Sequence, residues 1–254
     1  MLSTSLSADV PVFPNAPIRE AIIDIRTELP LDFDVEQFRH SPVHFREEYP
    51  KEEVKRLVQS QLKFLENSSL ERKQLKSEIE GFRYWNNEKN QVVQFRKSGF
   101  TFSRLRPYRD WDHLRAEARR LWAVYEAIAH PVEITRVATR FINSIELPGP
   151  KVDLNRYFNA APSVPSTLPD NFDDYFARYS LSFSEFNAKS IVQFAFPHGS
   201  TEQSVIVLLD IDVYREHHVV APFESLWPVI DQLRSVKNQI FFSYITEPTK
   251  ELFR

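Results

Sequence analysis

Gln94-Phe-Arg-Lys-Ser-Gly-Phe-Thr-Phe-Ser-Arg-Leu-Arg-Pro-Tyr-Arg-Asp-Trp111 reads as the end of one strand, a turn at Lys97-Ser-Gly99, a second strand, and the entry to a helix. Phe100, Phe102, Arg104 and Arg106 fall on one face of the second strand by its period of two. The spacing of Trp111, Leu114, Ala118, Leu121, Trp122, Tyr125 and Ile128 then predicts an amphipathic helix from Asp110 to His130, opened by Asp110 and Asp112 and stopped by Pro131.

Working outward, three antiparallel strands are expected at 76–86, 90–97 and 99–107, with Asn86 to Asn90 as the first turn. A long strand follows the helix from Val132 to Leu147, with Val137, Phe141 and Ile145 facing inward and Arg136 and Arg140 outward. Upstream, Glu20-Ala-Ile-Ile-Asp-Ile-Arg26 alternates as a half-buried strand. The stretch Asp34 to Glu66 reads as helical, interrupted by Pro42 and Pro50. Its Lys51–Leu65 part places Val54, Leu57, Val58 and Leu62 on one helical face. Downstream, Arg178–Phe196 and Thr201–Tyr214 read as two strands turning at Pro197-His-Gly-Ser200. A helix from Pro222 carries Phe223, Leu226, Trp227, Ile230 and Leu233 on one side. Trp122 and Trp227 are expected in the core, and Trp85 nearer the surface.

The expected organisation is an extended arm over 1–17, an α+β half over 18–148, a proline-rich connection over 149–171, and a hairpin plus helix over 172–254, packed as one unit. The expected fold class is α+β: antiparallel sheets, each covered by a long amphipathic helix, in two halves of similar outline.

Composition narrows function more than it names it. The chain has no cysteine, which excludes disulfides, thiolate nucleophiles and cysteine-ligated metal. Its four glycines are scattered, so no phosphate-wrapping loop or dinucleotide fingerprint can be assembled. A formal net charge of −3 argues against a general nucleic-acid binder. No apolar run reaches the roughly 20 residues of a membrane helix, and the first ten residues lack the pattern of a signal peptide. The expectation is a cytoplasmic protein without membrane or cofactor.

Asn15-Ala-Pro-Ile-Arg-Glu-Ala-Ile-Ile-Asp-Ile-Arg26, Phe102-Ser-Arg-Leu-Arg-Pro-Tyr-Arg-Asp-Trp111, Arg140-Phe-Ile-Asn-Ser-Ile-Glu-Leu-Pro148 and Leu209-Asp-Ile-Asp-Val-Tyr214 occur in one order along the chain. In these motifs the chain resembles an uncharacterised, sporadically distributed family of bacterial proteins of about this length. The resemblance implies a stand-alone bacterial protein and brings no activity, cofactor or catalytic residue with it.

The sharpest local feature is electrostatic. From Arg96 to Arg120 eight cations face three anions, an excess of five in a chain that is acidic overall. Arg104, Arg106, Arg136 and Arg140, with Tyr108, are therefore the candidate ligand-binding residues for an anionic small molecule or an acidic protein segment. The competing expectation is that these arginines pair across the sheet with Glu20, Asp24, Glu78 and Glu80. Asp210 and Asp212, with His217, form the alternative: a divalent-metal site in a hydrolase or transferase. A third reading is a structural subunit of an oligomer or a defence-type complex, with a second copy or the product of a neighbouring gene as partner. No Gly-x-Ser-x-Gly elbow is present, and the chemistry leans away from an enzyme.

Overall fold

The computed structural model describes residues 11–64, 70–149, 152–163, 165, 167, 174–196, 204–223 and 225–254, with side chains at 58–76 and 217 outside that description. Its strands are β1 (Ile18–Glu28), β2 (Lys51–Phe64), β3 (Leu70–Trp85), β4 (Gln91–Arg96), β5 (Gly99–Leu105), β6 (Glu133–Pro148), β7 (Tyr175–Phe183), β8 (Ala188–Phe196) and β9 (Ser204–Val220). Its α-helices are α1 (Val43–Glu48), α2 (Trp111–Ala129), α3 (Leu154–Tyr157), α4 (Leu226–Tyr244) and α5 (Glu247–Glu251).

All nine strands belong to one antiparallel sheet in the order β2-β3-β4-β5-β1-β6-β9-β8-β7. This overturns the expectation of separate sheets, each covered by a long helix in similar halves. The reason is β6, whose 16 residues pair with β1 along one edge and with β9 along the other. The helices are also too short for the expected cover. α2 and α4, 19 residues each, span about 28 Å at 1.5 Å per residue, whereas nine strands spread over roughly 38 Å. α4 lies against β6 and β9, and α2 against β5.

Two further expectations are corrected. The helix expected over Lys51–Leu65 is replaced across 51–64 by a strand: β2 pairs with β3 along its whole length. Val54 and Leu57, 42% and 52% exposed, show that the helical spacing of apolar residues here marks no buried face, so strand pairing decides the conformation. The single strand expected over 178–196 is two, β7 and β8, folded back through Ser184–Phe186 with Asn187 in the left-handed region (φ 44°). The turn expected at 197–200 lies outside the described residues.

The region from β4 to α2 follows its sequence closely. Gly99 sits at φ +135°, where an added Cβ would lie 2.1 Å from the Ile25 carbonyl oxygen. Asp110 caps α2 by accepting from the His113 N–H, and His130 ends it in the left-handed conformation. Trp111, Leu114, Leu121, Trp122 and Tyr125 are buried against the sheet. Ala21, Ile23, Ile25, Phe95, Phe100, Phe102, Phe141, Leu209 and Ile211 form the facing layer. Among the described residues no helix is long and apolar enough to cross a membrane.

Candidate functional site

The sheet separates the arginines that the sequence grouped together. In the register, Ala21 pairs with Arg104 and its neighbour Ile22 pairs with Arg140, so these two guanidinium groups leave opposite faces. Arg104 stands on the helix-bearing face, where it donates to the Pro107 carbonyl and to Asn90 Oδ1. Arg106 donates to the carbonyls of Pro17, Ile18 and Ser144, tying the arm to β6.

On the opposite face Arg136 and Arg140 are neutralised in an ion ladder. Arg136 donates to Asp24 at 3.2 Å and to Asp212 at 2.9 Å, with its guanidinium 4.4 Å from the Tyr214 ring centroid. Arg140 forks onto Asp210 at 2.9 and 2.5 Å, and Gln193 adds a bond to the same carboxylate. Asp24 also accepts from Arg96 and Thr101. Asp210 and Asp212 thus serve as counterions, and the described residues contain no cluster of three or more metal-ligating side chains. The side chain of His217 lies outside the described residues.

Tyr108 opens onto a partly enclosed cavity that Lys237 and Arg234 also line. This cavity, about 240 Å³, lies between the arm, the start of α2, β6 and α4. Its walls are aromatic: Phe13, Tyr108, Trp111, Phe141, Phe241 and Phe242. Its polar groups include Asn143, Arg234, Lys237 and Asn238.

Lys237 is the decisive residue. It is 8% exposed, and its ammonium nitrogen lies 4.0 Å from the Phe141 ring centroid. It has no hydrogen bond or ion pair among the described residues. The nearest acid of its own helix, Asp231, accepts the Trp111 indole N–H and pairs with Arg115, each at 2.9 Å. Burial first, and then the charge of Arg234, pull the Lys237 amine down to about 7. Arg234 likewise has no carboxylate partner among the described residues, and it stacks 5.3 Å from the Trp111 ring centroid. Burial pushes the Tyr108 phenol up, so its hydroxyl keeps its proton. The acids at the rim are already engaged or exposed: Asp110 holds His113 and pairs with Arg109, and Asp112 faces outward at the first turn of α2.

Sequence reading passed over this site, although a signal was present. Ile230, Leu233, Lys237 and Phe241 recur at three- and four-residue spacing, which places a lysine in the buried stripe of α4.

A second recess, about 560 Å³, holds Arg104 with Glu48, Gln91, Arg109, His113, Glu117 and Arg120. Its cations are largely matched: Arg120 with Glu117 at 2.8 Å and with Glu48, and His113 with Asp110 at 2.7 Å. Arg104 in this recess is held by Asn90 and the Pro107 carbonyl, whereas the smaller cavity holds a buried lysine without a partner among the described residues.

Comparison with protein-family models, with curated proteins and with solved structures finds no match for this chain.

Proposed function

We propose that this protein binds a small carboxylate with an apolar body in the cavity between the arm and α4. The observation that carries this reading is Lys237, a buried amine with no counter-charge among the described residues, beside Arg234, which also lacks one among them. Burying a cationic group without a partner is expensive. Lys237 is buried and Arg234 half-buried, and neither has a carboxylate partner among the described residues, so an anion in the cavity they line gains from both. Arg234 supplies a permanent cation with planar, two-point geometry suited to a carboxylate, and Phe13, Phe141 and Phe242 supply apolar contact for the rest of the ligand. At about 240 Å³ the cavity is below the ~300–1,000 Å³ of drug-sized sites, which favours a short acid over a nucleotide.

The test is thermal unfolding of the purified protein across a panel of short aliphatic and aromatic carboxylates, with nucleotides and phosphorylated metabolites as contrast. At least one carboxylate should raise the melting temperature; Arg234→Met should remove that rise, and Arg140→Ala, across the sheet, should leave it. A panel without any shift, or shifts unchanged by Arg234→Met, rejects the reading.

A further inference from the structure

We propose that Lys237 forms an imine with a carbonyl-bearing acid, an aldehyde or 2-oxo carboxylate, held in this cavity. The inference rests on the cavity being a carboxylate site and adds the chemistry of the bound acid. Three observations on α4 and its neighbours support it. The amine is buried and lines the cavity with Arg234, one turn away on the same helix. Among the described residues it has no hydrogen bond or ion pair that would hold it as a structural ammonium, and the Phe141 ring centroid lies 4.0 Å from its nitrogen. Tyr108 opens onto the same cavity and packs its ring against Phe141 at 5.9 Å.

The step balances without an added reagent. The neutral amine's lone pair attacks the carbonyl carbon, a C–N bond forms, and the carbonyl oxygen becomes a hydroxyl by taking up a proton. The hydroxyl then departs as water as the C=N bond forms, so both amine protons leave with the oxygen and nothing is oxidised or reduced. Water in the cavity carries the proton from nitrogen to the departing hydroxyl, and Tyr108, whose hydroxyl stays protonated, is a hydrogen-bond donor in the lining. Arg234 holds the carboxylate. A lysine with its amine near 7 is about half neutral, and so available as the nucleophile, at neutral pH, whereas an exposed lysine is almost wholly protonated. The charged and titratable groups around the cavity are Arg109, Asp110, Asp112, Arg234 and Tyr108.

The full chain is incubated at pH 7.5 with glyoxylate and sodium cyanoborohydride, and adducts are located by peptide mass mapping. Melting temperatures are measured in parallel with glyoxylate and with glycolate, which has the carboxylate but no carbonyl. The expected result is reduced adduct at Lys237 forming at least about tenfold faster than at any other lysine, slowed by excess glycolate. Stabilisation by both acids with no preferential adduct at Lys237 overturns the imine and leaves the carboxylate site standing. Adducts spread evenly over exposed lysines overturn it as well. No stabilisation by either acid together with no Lys237 adduct removes both readings. The mapping is made on the unmodified sequence, so it does not depend on a variant that folds.

Discussion

Lys237 carries a stability signature that can be measured without knowing any ligand. Its amine sits near 7 in the fold and near 10.4 in an unfolded chain. Below pH 7 both states hold the proton and the burial penalty acts in full. Between about pH 7 and 10.4 the unfolded chain binds more protons than the folded one, so this group's contribution improves as pH rises. Lys237→Met should therefore stabilise the protein by about 2–4 kcal/mol at pH 6, with the gain shrinking towards pH 9.5, as read by urea unfolding at both values. A variant destabilised at pH 6 would show that the amine has a favourable partner. Gly99 makes the opposite prediction. Gly99→Ala meets both a positive φ and the Ile25 carbonyl, and should lose at least about 3 kcal/mol in the same experiment. The Gly99 turn and the start of α2 at Asp110 were legible because each depends on its neighbours in sequence. The cavity was not, because Tyr108, Asn143 and Lys237 meet only through tertiary packing.

At the scale of elements, parity along β1 decides what the sequence could reveal. The alternation of Arg136 and Arg140 against Val137 and Phe141 was readable, but the register relating β5 and β6 to β1 was not. That register sends Arg104 and Arg140 to opposite sides. It also makes Asp24 the hub of the ladder, accepting from Arg96, Thr101 and Arg136. Asp24→Ala leaves the partly buried Arg96 without its carboxylate and Arg136 with Asp212 alone, and should cost about 2–3 kcal/mol. Asp212→Asn should stay within about 1 kcal/mol. Burial raises the Asp212 carboxyl above its usual range, its Oδ1 lies buried without a hydrogen bond, and Arg136 retains Asp24. Equal losses in chemical denaturation would contradict this ranking. β2 shows the converse difficulty: its apolar residues recur at helical spacing while its pairing with β3 sets the backbone.

For the whole molecule, the pairing of β6 with β9 joins chain segments on either side of the proline-rich connection. Unfolding should accordingly be one cooperative transition, with tryptophan fluorescence and far-ultraviolet circular dichroism melting together. Residues 1–149 produced alone should not yield a stable monomer, because β6 would lose its partner on one side. Soluble, cooperatively folded fragments would instead mark two separable units. The position of β1 carries a further consequence. Although first in the chain among the nine strands, it lies between β5 and β6, whose last residues are Leu105 and Pro148. At a translation rate of roughly 5–20 residues per second, its alternating isoleucines wait on the order of ten seconds for both neighbours to emerge from the ribosome. During that interval the nascent segment is a natural client for a chaperone that shields apolar strands.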